Sequence, residues 1–488
     1  MSKTRRFVKD SLALTVGNVA VSVMGFVYQI WILRYFGLTL FGKYTIVINY
    51  AGYFTILALF GVRQVITRSI ATKSGNLKPL LKSAIILRLI TAGISLLGIA
   101  LLAAILHGDK LVAYGLLIYG LSILFLSITD VFEAVFVGMQ DAQYGAYGLI
   151  AGVAVKLGLG LYLMKSGVGL YGILAVFTVT AALNMGIDWF LLQRYLKRDE
   201  GIPDHAVTST RYILTESLPF FYLSLVTRVY AKNDIMFLGL MRGAESVGIY
   251  RVAYLAIDFF LLVGSSLGAA LYPLMSKANS VSREQLELVY RTGCRLVVIL
   301  FVPACIALCM VGADVIHRLS GKDIHEAIPV IWILSWVAIP EGLNIVMGTV
   351  LSSIYKQKTV AKLGIIGMII CVGMTVPLIA KFGGIGAALG TTGSSAVMTL
   401  VANHAVSKHL VSLDWLDMLG RPTVAGIVMY LVMHALAFNG FIAFFVGLAA
   451  YMLALLIMRT FTKQELETMK GLVRGSSKIV ASDQLPGL

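Results

Sequence analysis

The sequence predicts an all-α polytopic membrane protein of about 14 transmembrane helices, arranged as two parallel-repeat six-helix lobes followed by two C-terminal helices. Three observations lead there. Hydrophobic residues make up 58% of the 488-residue chain and charged residues 13%, and the mean hydropathy is +0.87. That composition excludes a string of soluble domains. Apolar windows of about 20 residues recur along the chain, the length that a hydrocarbon core of about 30 Å demands. Lipid cannot satisfy backbone polar groups, so such windows must close their hydrogen bonds internally as helices. Finally, a glycine pattern recurs at a spacing of about 206 to 217 residues.

Taken in order, the first span covers about 11–33. It follows a start, Met1 to Asp10, with four bases and no small-residue cleavage site, and so reads as a retained anchor. Spans at about 44–66, 81–106, 111–137, 144–164 and 170–193 complete a first lobe, 1–193. A polar linker, 194–212, precedes the second lobe, 213–408, with spans at about 213–240, 248–275, 292–316, 327–352, 360–380 and 384–406. Accessory spans at about 422–438 and 441–459 occupy 409–460, with a tight connection at Asn439-Gly440, and 461–488 is a polar tail.

The net charge of +16 resides mostly in short loops. About 26 Lys and Arg fall on the side holding the amino terminus and about 8 on the other, which by the positive-inside rule makes both termini cytoplasmic. This distribution is that of membrane orientation, with no role for nucleic acid. Cys294, Cys305, Cys309 and Cys371 lie in apolar windows without metal-ligand spacing and read as small core residues. No metal or cofactor is expected.

The repeat rests on glycines. Gly37, Gly42 and Tyr44 form G-x4-G-x-Y after span one, and Gly243, Gly248 and Tyr250 form it after span seven. Gly167 and Gly169 open span six as Gly384 and Gly386 open span twelve, and Gly148 answers Gly364. Six spans per half is even, so both halves enter from the same side.

Charge inside apolar windows marks candidate sites, because it is costly unless it faces protein or water. From Leu214 to Lys277, two helices joined by a turn at Arg242 to Gly248 hold Arg228, Lys232, Asp234, Arg251 and Asp258. Counted from that turn, Lys232 can meet Asp258, while Arg251 shares a face with Asp258 and can reach Asp234. Arg228 is then left for an anionic ligand; the alternative is a closed ion-pair network that only holds the helices together. Lys156, mid-span five, is a cavity-facing cation or a structural donor. Glu341 follows Pro340 in mid-span ten, where a carboxyl could hold a proton or another cation. Arg88 is expected to snorkel to the interface, Asp130 and Glu133 to line a solvated vestibule, His434 to be a core histidine, and Pro219 and Pro273 to bend or end their spans. Phosphate-binding glycine loops, zinc-protease motifs and nucleophile elbows are absent, so no enzyme is indicated.

The segments FVKDSLALTVGNVAVSVMGFVYQIWILRYFGLTLFGKY, AKNDIMFLGLMRGAESVGIYRVAYLAIDFFLLVGSSLGAALYPLMSK and FGGIGAALG resemble polysaccharide flippases of the Wzx type, in the multidrug/oligosaccharidyl-lipid/polysaccharide exporter superfamily. The resemblance implies two lobes working by alternating access. It implies translocation of an undecaprenyl-diphosphate-linked oligosaccharide from the cytoplasmic to the periplasmic leaflet of a bacterial inner membrane, for surface polysaccharide such as O-antigen or exopolysaccharide. Coupling to H+ or Na+, and a polysaccharide polymerase and chain-length regulator as partners, come with it. On this reading Arg228, Lys232, Arg251 and Lys156 bind the diphosphate, and Asp234, Asp258 and Glu341 serve ion coupling. A peptidoglycan-precursor flippase, a drug/cation antiporter and a membrane glycan polymerase are the competing readings. The surplus of base disfavours the antiporter, and the short exported loops disfavour the polymerase.

Overall fold

The computed structural model describes residues 3–72, 77–141, 143–196, 210–321, 325–436, 440–458 and 460. Most of the predicted inter-lobe linker, the Asn439 side of the tight turn and the tail 461–488 lie outside the described residues. Among the described residues every regular element is helical. In order they are α1 (Lys3–Leu59), α2 (Val62–Ala71), α3 (Leu77–Ile105), α4 (Lys110–Gly138), α5 (Gln143–Lys165), α6 (Leu170–Leu196), α7 (Thr210–Val281), α8 (Arg283–Ser320), α9 (Ile328–Ser335), α10 (Ala338–Ser353), α11 (Gln357–Ser407), α12 (Trp415–Ala435) and α13 (Gly440–Ile457).

Among the described residues nine helices are long and apolar enough to cross a membrane, or ten with a bent pair in α7 counted as one span. That number falls short of fourteen because three helices contain more than one crossing and α13 is a shorter apolar helix outside the count. α1, at 57 residues, would reach about 85 Å if straight, against about 30 Å of hydrocarbon. It is two helices meeting at Gly37 (φ 79°, ψ 179°). In α7 the same corner recurs at Gly243 (φ 80°, ψ −174°), and α11 turns at Gly383 (φ 59°). These angles suit glycine, because a Cβ strains a positive φ. Gly37 and Gly243 share one backbone conformation, so the sequence repeat is also a repeat of geometry. Gly383 matches Gly167 (φ 74°), one residue from the Gly384 alignment made from sequence.

The second glycines of the motif do a different job. A Cβ at Gly42 would overlap the carbonyl of Ala244, and a Cβ at Gly248 would overlap that of Leu38. Leu38 and Ala244 each follow a corner glycine. The two copies of the motif therefore meet reciprocally, as self-complementary surfaces do about a two-fold axis, and small residues let the backbones touch where lipid supplies no hydrophobic drive.

The chain divides into two compact units, Met1–Gly248 and Ile249–Leu488. The segment of α7 up to Gly248, expected to open a second lobe, packs on α1 and α2. Tyr50 Oη donates to the Met236 carbonyl at 3.1 Å, and Phe60 stacks on Phe221 with ring centroids 4.6 Å apart. The first unit buries Val62, Ile66, Leu80, Phe132, Phe136 and Ile213 together; the second buries Leu271, Tyr290, Phe301, Val346, Met347 and Met429.

Several local expectations change. Span two ends at Leu59, with positive φ at Phe60 and Gly61, before the short helix α2 begins. Predicted span ten is split into α9 and α10 at Trp336 and Val337. Pro340 has no N–H for the carbonyl four residues back, that of Trp336, so the ladder lapses there. Among the described residues α7 breaks at Lys232 and Gly243 and bends by 48° between Leu255 and Phe260, away from Pro219 and Pro273. His434 is exposed and stacks on Tyr430 instead of joining the core.

Replacing Gly42 or Gly248 by Leu should lower the thermal unfolding midpoint of the purified protein, since overpacking costs about 1 to 3 kcal/mol even where side chains yield. Gly25→Leu, with nothing within 4 Å of the added Cβ, should leave the midpoint unchanged in the same melting experiment.

Candidate functional site

The site is built around the break in α7 at Lys232 (φ −142°, ψ 16°). A break frees backbone groups that must find partners in an apolar medium, and adjacent side chains provide them. Asn233 Nδ2 donates to the carbonyls of Val229 at 3.0 Å and Tyr230 at 3.2 Å. Asp234 Oδ1 accepts from the Ile235 N–H at 2.7 Å. Polar residues therefore cluster here because a discontinuous membrane helix needs them.

Arg228 lies one turn before the break, half-buried. Its Nη2 donates to the Asn49 carbonyl at 3.0 Å, and its guanidinium lies 5.4 Å from the Tyr53 ring. Gly52 leaves the room, since a Cβ there would overlap the guanidinium. Among the described residues Arg228 has no carboxylate ion-pair partner. Lys156 on α5 is in the same condition, its Nζ 5.1 Å from the Phe177 ring and 5.7 Å from that of Tyr28. Phe177 in turn meets Tyr119 at 5.2 Å and Tyr44 at 6.3 Å, and the Tyr119 phenol and the Asp234 carboxylate both lie near Arg228. The structure thus brings Lys156 and Arg228 to one aromatic cluster drawn from α1, α4 and α6. Rings hold a cation by about 0.5 to 2 kcal/mol without neutralising it, so both charges remain available to an anion.

The other predicted site residues are divided between the units. Lys232 and Asp234 belong to the first. Arg251 and Asp258 belong to the second and pair at 2.6 Å, two turns apart on one face as their spacing requires. Glu341 accepts from Ser395 Oγ in the seam between α10 and α11, where Asn344 also donates to the Ser395 carbonyl at 3.3 Å. Near this seam the second unit carries an open, apolar cavity of about 750 Å3, lined by residues such as Trp336, Leu343, Leu400, Trp415 and Ile427.

Arg88 overturns its sequence reading. It is fully buried, donating to Asp130 Oδ2 and to the Ala58 carbonyl at 3.2 Å. Asp130 and Glu133 are likewise not a free vestibule, because Arg63 Nη1 bridges them at 2.9 and 2.7 Å. Snorkelling fails here because α4 packs against α3 and brings the Asp130 carboxylate to the guanidinium. Sequence reasoning also passed over Asn184 and Asp188 on α6. Their signal was the pair of glycines four apart on α5, Gly148 and Gly152, that makes room for them.

Arg88→Ala should strip its partner and cost about 3 to 5 kcal/mol, visible as loss of folded protein on size exclusion. Removing Asp130 as well should recover part of that loss, as a double-mutant cycle on thermal unfolding would register.

Comparison with known proteins adds three findings. A family model described as Polysaccharide biosynthesis protein matches residues 7–279, more than half of the chain. The probable low-salt glycan biosynthesis flippase Agl15 of Haloferax volcanii is 23% identical over 456 residues, covering 90% of this chain and 93% of that protein. Among solved structures, the lipid II flippase MurJ in an inward closed conformation superposes with a TM-score of 0.73 at 14% identity, covering 92% of this chain and 98% of its own. The multidrug transporter DinF-BH, solved in complex with R6G, gives 0.62 at 15% identity, over 84% and 96%. At these identities the structural likenesses establish the fold alone.

Proposed function

From its membership of the polysaccharide biosynthesis protein family, to which the chain belongs, we propose that it is a flippase that carries a lipid-linked oligosaccharide from the cytoplasmic to the outer leaflet of the plasma membrane, and not an enzyme. The observation that carries this reading is that Arg228 and Lys156, neither of them in a carboxylate ion pair among the described residues, flank one aromatic cluster inside the first unit. A polyprenyl diphosphate presents clustered phosphate oxygens, and a guanidinium fork meets such oxygens with paired, charge-assisted hydrogen bonds. Aromatic faces suit the apolar faces of sugar rings and select no single sugar. The apolar cavity of the second unit is chemically fit for part of a polyprenyl chain.

The cargo is an undecaprenyl-diphosphate-linked repeat unit for surface polysaccharide, moved by alternating access of two lobes and drawing on an H+ or Na+ gradient. Lys232 and Arg251 assist in holding the diphosphate, Asp234 and Asp258 temper that positive charge so that cargo can leave, and Glu341 takes part in coupling. Both termini face the cytoplasm, where precursors are made, and a polymerase with its chain-length regulator acts on the product outside. The Haloferax volcanii relative, named as a glycan biosynthesis flippase, supports the glycan class of cargo over drugs.

Reconstituted in liposomes with a fluorescent undecaprenyl-diphosphate oligosaccharide, the protein should expose the label to an external quencher. Arg228→Ala should slow that exposure about tenfold or more, the loss expected for one hydrogen-bonded charge, at equal amounts of folded protein. Equal rates would remove Arg228 from the site, and glycan elongation by the wild type would replace the transport reading by an enzymatic one.

A further inference from the structure

The Asp188 side chain is 1% exposed, and neither of its oxygens has a hydrogen-bond partner. One turn earlier on α6, Oδ1 of Asn184 is buried without a partner as well. Residues four apart share a helix face, so three oxygen acceptors point the same way. They point at glycine. A Cβ at Gly148 would overlap Asp188 Oδ1, and one at Gly152 would overlap Asn184 Oδ1. Two glycines four apart on α5 thus match two oxygen-bearing side chains four apart on α6, and the recess is a feature of both helices.

Local charge does not balance. Arg63 and Arg88 are held by Asp130 and Glu133, two bases against two acids. Asp188 is a third acid, near enough to Glu133 for the charges to interact. From α5 it faces glycine. Beyond that, the titratable side chains on α5 are Tyr144, Tyr147 and Tyr162 with Lys156 and Lys165, and Lys156 is committed to the rings of Tyr28 and Phe177. From α1 the described titratable groups packed toward α6 are Tyr28 and Tyr44, through Phe177. A buried carboxylate without donors is too costly to persist as a bare anion.

We infer that Asp188, with the amide oxygen of Asn184, binds a small hard cation, H+ or Na+, within the first unit. Three oxygen donors and no nitrogen or sulfur suit a hard cation, and one positive charge closes the balance left by Arg63, Arg88, Asp130 and Glu133. Gly148 and Gly152 give the two side chains the room to lie against α5, so their oxygens are held together on one face of α6. The site is independent of the cargo proposed above.

The test is thermal unfolding of the full chain in lipid nanodiscs, because a cation bound only by the folded state raises the midpoint by mass action. In one arm NaCl replaces choline chloride at constant alkaline pH; in the other, pH falls in choline chloride. The wild type should gain stability, with sodium in the first arm if Na+ is the ligand, or only in the second if the proton is. Asp188→Asn, an isostere already neutral, should lose that gain and equal or exceed the wild type in alkaline choline. Asn184→Ala should raise half-saturating sodium about tenfold, or move the pH midpoint by about one unit, and serves should Asp188→Asn fail to fold. A wild type without gain in either arm, or variants that keep it, would overturn the site. Liposome flipping measured in parallel separates the two readings: cation binding without flipping removes the flippase, and flipping without cation binding removes this site.

Discussion

An ionisable side chain inside an apolar helical bundle must pair, be neutralised by a bound ion, or meet a ligand, because hydrocarbon offers it no fourth option. Both paired and unpaired side chains occur here. Arg63 and Arg88 pair with Asp130 and Glu133, and Arg251 pairs with Asp258. Arg228 and Lys156 rest on rings and a carbonyl, which satisfy geometry and leave charge. The paired set stabilises the bundle; the unpaired set has reason to persist only if something of opposite sign arrives. In a protein with 13% charged residues, the ones that remain unneutralised carry most of the functional information.

The break at Lys232 shows how such a site is paid for locally. An interrupted helix exposes backbone to a medium that cannot solvate it, and Asn233 and Asp234 recover those hydrogen bonds with their own side chains. The same residues that repair the helix thereby bring polarity to the surroundings of Arg228. Structure and chemistry share their residues at this point, which is why loss of Asp234 would affect both.

The all-α polytopic class was legible because lipid leaves so few solutions: composition and window length are enough to select helices. The corner glycines were legible because their reason is local, a positive φ at Gly37 and Gly243. What escaped depended on neighbours distant in sequence. Arg88 reads as a snorkelling side chain until α2 and α4 bring Arg63, Asp130 and Glu133 beside it. Lys156 could not be linked to Arg228 without Phe177 and Tyr119 between them. Asp188 was passed over although it is a charge inside an apolar span, because what sets it apart is the pair of α5 glycines it faces, and the sequence does not display that facing. The lapse at Trp336 was within reach, since Pro340 four residues later is the whole cause.

The single-residue corner at Gly37 has a mechanical consequence. Two membrane crossings joined by a loop of many residues can tilt separately, since the loop takes up the difference. With one glycine between them there is no slack in length, so the ends of the two arms stay together and only the angle between them, set by the glycine's two permissive dihedrals, is free to change. Gly383 ties two arms of α11 in the same way within the second unit, so at each such corner neighbouring crossings share a fixed point.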